Sequence, residues 1–147
     1  MTTRSLVFHQ RLGNCVLQFL DLSLNQLSGT IPGEIFRLSS LEYLGMDQNY
    51  LTGSIPPEIS QLPLKRLSLG YNELSGSIPM ELGPISSLEN LDLRKNQLSG
   101  SIPPVLSPLT MLRSLDIRDN QISGSIPEEI GLLSSLKFLL RQVFGEQ

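Results

Sequence analysis

Few residues in this chain could carry covalent or metal chemistry. It holds one histidine, His9, and one cysteine, Cys15. Nucleophilic catalysis needs a base within hydrogen-bond reach of a serine or cysteine, and one histidine in the irregular start offers no such pairing. A metal site built on His and Cys ligands has no material here. No Gly-rich phosphate loop or kinase signature occurs. What remains is a set of carboxylates and cations: Asp92, Asp116 and Asp119 with Arg94, Lys95 and Arg118. Asp92 and Asp116 stand one interval apart, and Arg94 and Arg118 share that interval. Brought side by side, they would form either an acid–base pair or a solvated set of diagonal Asp–Arg ion pairs. The second reading is adopted. No enzyme activity, cofactor or metal is expected.

The interval belongs to a repeat. Leu91 to Pro103 reads L-D-L-R-K-N-Q-L-S-G-S-I-P, and near copies begin at Leu20, Leu44, Leu67 and Leu115. A fixed period in this range signals a solenoid whose coils each bury their apolar face against their neighbours. The expected fold class is therefore an α/β repeat solenoid. Five repeats are expected, over 17–40, 41–63, 64–87, 88–111 and 112–135. Residues 1–16 form an irregular segment with a partial repeat, and 136–147 a degenerate final one. Cys15 aligns with Leu62 and suits a small buried hydrophobe, with a reactive or interchain thiol as the alternative.

Each repeat opens L-x-x-L-x-L-x-x-N-x-L. The L-x-L alternation predicts a short strand with one buried face. Strands from successive repeats would lie parallel, ~4.8 Å apart. The buried positions would be Leu20 and Leu22, Leu44 and Met46, Leu67 and Leu69, Leu91 and Leu93, Leu115 and Ile117. The column Asn25, Asn49, Asn72, Asn96 and Asn120 is expected to turn inward, each amide satisfying backbone groups freed where the chain leaves its strand. Glycines such as Gly53 then permit a backbone angle or coil contact that a β-carbon would obstruct. The Ile-Pro pair returns an isoleucine to the core and ends the strand. A single helical or 3-10 turn follows on the outer side.

The motif L-x-x-L-x-L-x-x-N-x-L-[ST]-G-x-I-P-x-x-[IL] resembles the plant-type leucine-rich repeat over about Leu12 to Leu140. Relatives of that type include ectodomains of plant receptor-like kinases and receptor-like proteins, and inhibitors of fungal polygalacturonase. The resemblance implies a right-handed superhelix with a parallel sheet on its concave face, a minor second sheet and short turns on the convex side. It also implies an extracellular or plasma-membrane-associated setting. The family's paired cysteines at either end are missing, so the chain reads as an excised portion, a truncated product or a minimal array. Self-association through uncapped ends is one expectation of that reading. No secretion signal or membrane-spanning stretch is recognised.

Residues between the constant leucines carry whatever is specific. On the concave face these include Phe19, Tyr43, Arg66, Tyr71, Asp92, Arg94, Lys95, Asp116, Arg118 and Asp119. Aromatics gather in the first half and charges in the second, and exposed aromatics beside arginine suit an interface. The leading expectation is a non-catalytic module that recognises a protein or peptide, in plant cell-surface signalling or defence. The alternative is a structural receptor fragment without a ligand of its own. A third reading, ice binding, rests on two Ser/Thr columns (Ser28 and Thr30 onward) at ~4.8 Å spacing. A net charge of −3 gives no reason to expect nucleic acid or a membrane surface as partner.

Overall fold

The computed structural model describes residues 16–141. Cys15 and His9 lie outside them. In chain order the strands are β1 (Phe19–Asp21), β2 (Ser28–Gly29), β3 (Tyr43–Gly45), β4 (Tyr50–Gly53), β5 (Arg66–Ser68), β6 (Glu73–Ser77), β7 (Asn90–Asp92), β8 (Gln97–Gly100), β9 (Ser114–Asp116), β10 (Gln121–Ile122) and β11 (Phe138–Leu140). Odd-numbered strands form a six-stranded parallel sheet, and even-numbered strands a five-stranded one. Each coil thus contributes one strand to each sheet, which is the solenoid the repeat demanded.

In the first, inner sheet, repeat-equivalent residues pair directly. Phe19 faces Tyr43, Tyr43 faces Arg66, and Arg66 faces Asn90. The central leucine of each strand points the other way. Leu44, Leu67 and Leu115 are fully buried and Leu91 nearly so. Burying each contributes ~1.5–3 kcal/mol against exposure. Leu20 and Leu22, expected in the core, are only half-buried. Their strand is an edge of the described array, so among the described residues a neighbouring coil covers them on one side.

The outer sheet is offset. Ser28 and Thr52 are equivalent in the repeat, yet Ser28 pairs with Tyr50 and Thr52 with Glu73. Equivalent hydroxyls therefore sit diagonally, ~7–8 Å apart, rather than directly opposite. This corrects the expected ~4.8 Å rows of Ser and Thr. Ile31, Ile55, Ile78 and Ile102 do return to the core, but Ile126 is 48% exposed.

After each Ile-Pro comes a 3-10 turn: Gly33–Arg37, Pro57–Gln61, Met80–Leu82, Pro104–Leu106 and Glu128–Leu132. The proline has no N–H to give, but its carbonyl starts the turn, as in Pro56 accepting from the Ile59 N–H at 3.1 Å. Among the described residues no helix is long and apolar enough to cross a membrane.

The asparagines tie coil to coil. Asn96 Nδ2 donates to the Leu93 and Arg94 carbonyls of its own coil and to Leu69 O of the preceding coil at 3.0 Å. Its Oδ1 accepts the Leu74 N–H at 3.0 Å. Asn49, Asn72 and Asn120 repeat this set and are likewise buried. Asn25 departs from the expected inward column. It is exposed and, among the described residues, donates to Leu22 O and Ser23 O within its own coil.

One backbone feature had no sequence signal in its residue types. The residue before each asparagine is left-handed: Leu24, Gln48, Tyr71, Lys95 and Asp119 have φ between 50° and 56°. Such a conformation costs ordinary residues roughly 1–2 kcal/mol. It turns the chain out of the strand and pushes these side chains to the rim, where all five are exposed. Gly53, at φ 76°, shows the other requirement: a Cβ there would lie 2.9 Å from Thr30 Cγ2 of the preceding coil.

Candidate functional site

The solvent side of the inner sheet is a field of variable residues on a uniform floor of leucines. Parallel pairing in direct register places like positions in columns, so neighbours are set by the repeat and contacts by the side chains. Three groupings result.

At the β1–β3 end the Phe19 and Tyr43 rings stack with centroids 4.2 Å apart and planes 7° from parallel. Beside them is an acid–hydroxyl cluster. Asp47 Oδ1 accepts from Ser23 Oγ at 2.7 Å and from Ser68 Oγ at 3.0 Å. Asp21 accepts the Ser23 N–H at 3.0 Å, and hydrogen bonding from Ser23 holds its carboxyl below the ordinary range. Gly45 makes room for this cluster: a Cβ there would meet Tyr43 Oη at 2.7 Å and Asp21 Oδ1 at 2.8 Å. Burial, reinforced by the Asp21 and Asp47 charges, pushes the Tyr43 hydroxyl upward.

At the β7–β9 end the pairing runs along each coil, not diagonally. Arg118 grips Asp116 of its own coil through Nε at 3.0 Å and Nη2 at 2.7 Å. Arg94 Nε lies 3.2 Å from Asp92, though its N–H is misaligned for a hydrogen bond. The diagonal contact, Arg94 to Asp116, is the weakest at 4.0 Å. The expected diagonal network is therefore reduced to this one long contact, and of its members Asp116, only 6% exposed, departs from a solvated setting. Two residues along a strand place both side chains on one face, which brings each Arg back over its own Asp. Burial raises the Asp92 carboxyl against the opposing pull of the Arg94 N–H and charge. Asp116 feels burial too, but the Arg118 hydrogen bonds and charge win and hold it low.

Tyr71 is not part of an aromatic half. It joins the charged end, with Arg94 Cζ 5.1 Å and Lys95 Nζ 4.8 Å from its ring centroid. Cations at this range are attracted by the ring's quadrupole. Asp119 lies exposed at the rim and forms no ion pair among the described residues. Arg66, on the central strand β5, likewise has no carboxylate in ion-pair contact among them.

A further column lies along the strand-entry edge. Glu42 pairs with Lys65 at 2.8 Å and Glu89 with Arg113 at 3.6 Å. These residues follow the first leucine of each repeat. Their alternating sign at the repeat interval is the signal the sequence carries for them. Two shallow hollows open on the sheet face. One of about 360 Å³ is lined by Phe19, Tyr43, Lys65, Arg66 and Asn90 among others. The second, about 460 Å³, is lined by Arg66, Ser68, Asn90, Asp92, Arg94, Ser114 and Asp116 with the leucines beneath. Among the described residues no group of three His, Cys, Asp or Glu could hold a metal ion. The face offers hydrogen bonds, cations and flat aromatic area to something laid across it.

A family model for the leucine-rich repeat matches residues 16–38, 40–62, 63–85, 87–109 and 111–133. No curated protein matches the chain. Among solved structures, it is similar to the ectodomain of the Arabidopsis thaliana membrane receptor kinase GASSHO1/SCHENGEN3 in complex with CASPARIAN STRIP INTEGRITY FACTOR 2. The TM-score is 0.83 and identity 41%, over 89% of this chain and 16% of that one. The Arabidopsis receptor kinase HAESA, in complex with the peptide hormone IDA and the co-receptor SERK1, gives a TM-score of 0.78 and 38% identity, over 84% of this chain and 22% of that one. The BIR2 ectodomain from Arabidopsis thaliana gives 0.73 and 40%, over 75% of this chain and 58% of that one. The chain thus spans between 16% and 22% of the two receptor kinase chains.

Proposed function

Because the chain belongs to the leucine-rich repeat family, we propose that it is a non-catalytic recognition module binding a protein or peptide across its concave sheet. Its setting is the outer face of the plant cell, in signalling or defence. The observation that carries this reading is the Tyr71 ring with Arg94 and Lys95 against it, exposed at the rim of the variable face. Aromatic and arginine side chains held in place by their neighbours supply contact area at low entropic cost, the make-up of an interface anchor. Solved relatives of similar sequence carry a peptide hormone or an integrity factor in their complexes, which supports recognition of a protein or peptide.

The test compares the wild-type chain with a triple variant, Phe19→Ala, Tyr71→Ala and Lys95→Ala. All three residues are exposed, and none holds a carboxylate in place. Arg94 and Arg118 are left intact because their loss would strand Asp92 and Asp116. Each immobilised protein is exposed to the peptide fraction of plant extracellular fluid, and retained peptides are quantified. Peptides retained by the wild type and lost by the variant support the reading. Equal retention by both removes the concave face from it.

A further inference from the structure

Arg66 stands where the two hollows meet, and it lines both together with Asn90. It differs from the other arginines of the face. Arg94 and Arg118 are occupied by Asp92 and Asp116, whereas Arg66 has no carboxylate in contact among the described residues. It is exposed, and its strand is central in the sheet. Next to it in the same column is the stacked Phe19–Tyr43 pair, with Phe19 59% exposed. On its other side the column continues with the Asn90 amide and the Ser114 hydroxyl.

We infer that Arg66 is the anion-recognising residue of this face: it takes a carboxylate side chain of a linear peptide, while an apolar or aromatic side chain two positions away lies on the Phe19–Tyr43 stack. The inference rests on the peptide-recognition reading and adds the chemistry of the ligand. A guanidinium without an internal partner has its full fork of donors to give, and a carboxylate is its best geometric match. The already paired arginines would have to break a contact first. The spacing agrees. Strands ~4.8 Å apart place Tyr43 and Phe19 at ~4.8 and ~9.6 Å from Arg66, and alternate side chains of an extended peptide recur every ~6.6–6.8 Å, between the two. A strand-like peptide crossing the sheet therefore puts one side chain at Arg66 and its i±2 neighbour over the rings.

The probe is a random linear heptapeptide library displayed on phage and selected on the full chain. Seven extended residues reach ~23 Å, close to the width of six strands at ~4.8 Å. The expected result is enrichment of Asp or Glu with an apolar residue two positions away. A synthetic copy of an enriched peptide should lose about ten-fold in affinity to Arg66→Ala, and replacing its acid by Gln or Asn should lose as much from the wild type. The two losses should not add, since they remove one contact. Arg66→Glu should recover binding to the peptide whose acid is replaced by Lys. Unchanged melting of both variants confirms the fold, as expected for an exposed side chain without partners. Enriched peptides that lack an acid, or that bind Arg66→Ala as well as wild type, overturn this inference and leave peptide recognition standing. No enrichment at all overturns peptide recognition itself, and the inference with it.

Discussion

Removing one inward asparagine should loosen the whole array, and removing the outermost should not. Asn96 is 8% exposed and bonds two coils: its Oδ1 holds the Leu74 N–H, and its Nδ2 reaches Leu69 O, Leu93 O and Arg94 O. Asn96→Ala leaves the N–H of the fully buried Leu74 without its acceptor, while each carbonyl keeps another donor: Leu69 O from Asn72 Nδ2, Leu93 O from Asn120 Nδ2 and Arg94 O from the Tyr71 N–H. An orphaned buried N–H costs ~1–3 kcal/mol, and that is the expected loss. Against a typical total of ~5–15 kcal/mol this is a large fraction. Asn25 is exposed and its bonds among the described residues are own-coil, so Asn25→Ala should cost under about 1 kcal/mol because water replaces what is lost. Urea unfolding followed by far-ultraviolet circular dichroism compares the two. With m of ~1–3 kcal/mol/M, the Asn96 variant's midpoint should fall by about 1 M and that of Asn25 by a few tenths. Equal shifts for the two would refute the idea that the ladder acts by joining coils.

Three further outcomes are expected. Leu24 is left-handed at φ 56° and 73% exposed, so Leu24→Asn should stabilise by about 0.5–1 kcal/mol, read as a melting temperature higher by a few degrees; a lower one would mean that Leu24 contributes packing. Asp116 has a folded-state pKa below its unfolded value of ~3.9, so its contribution is complete above about pH 4 and is lost as pH falls through the folded value. Asp116→Asn should cost about 1–3 kcal/mol at pH 7 and flatten the acid end of the stability–pH curve. Asp92 behaves oppositely, because burial raises its folded-state pKa and it penalises the fold at neutral pH, the penalty easing as pH falls from that value towards ~3.9. Asp92→Asn should therefore cost less than Asp116→Asn at pH 7; parallel urea titrations at pH 3, 5 and 7 check both signs.

The inner sheet was legible because its contacts repeat with the sequence. Once Leu44, Leu67 and Leu91 are recognised as equivalent, the pairing of Tyr43 with Arg66 and Arg66 with Asn90 follows from the parallel register. The outer sheet was not, because its two-residue offset depends on how each coil is inclined to the next, and equivalence in sequence says nothing of that angle. Nor could periodicity reveal the left-handed turn at Leu24, Gln48, Tyr71, Lys95 and Asp119. The residue types there are ordinary, and the following asparagine brackets the turn with bonds to carbonyls of its own coil, which Asn25 makes as Asn96 does. At the face the columns were readable but the partners within them were not. Whether Arg118 reaches diagonally or back to Asp116 is decided by side-chain torsions and local burial. Tyr71 sits with Arg94 and Lys95 for the same reason: the left-handed turn swings it to the rim, away from Phe19 and Tyr43.

Site-specific photo-cross-linking tests most directly whether recognition happens on the concave sheet. A benzophenone amino acid is placed at Ser114, which lines the larger hollow, or at Gln61, exposed on the outer 3-10 turn. Each protein is irradiated with the selected heptapeptides and the adducts are mapped by mass spectrometry. Adducts at position 114 and none above background at 61 are expected. Equal yields at both, or adducts at 61 alone, would contradict the concave face as the recognition surface.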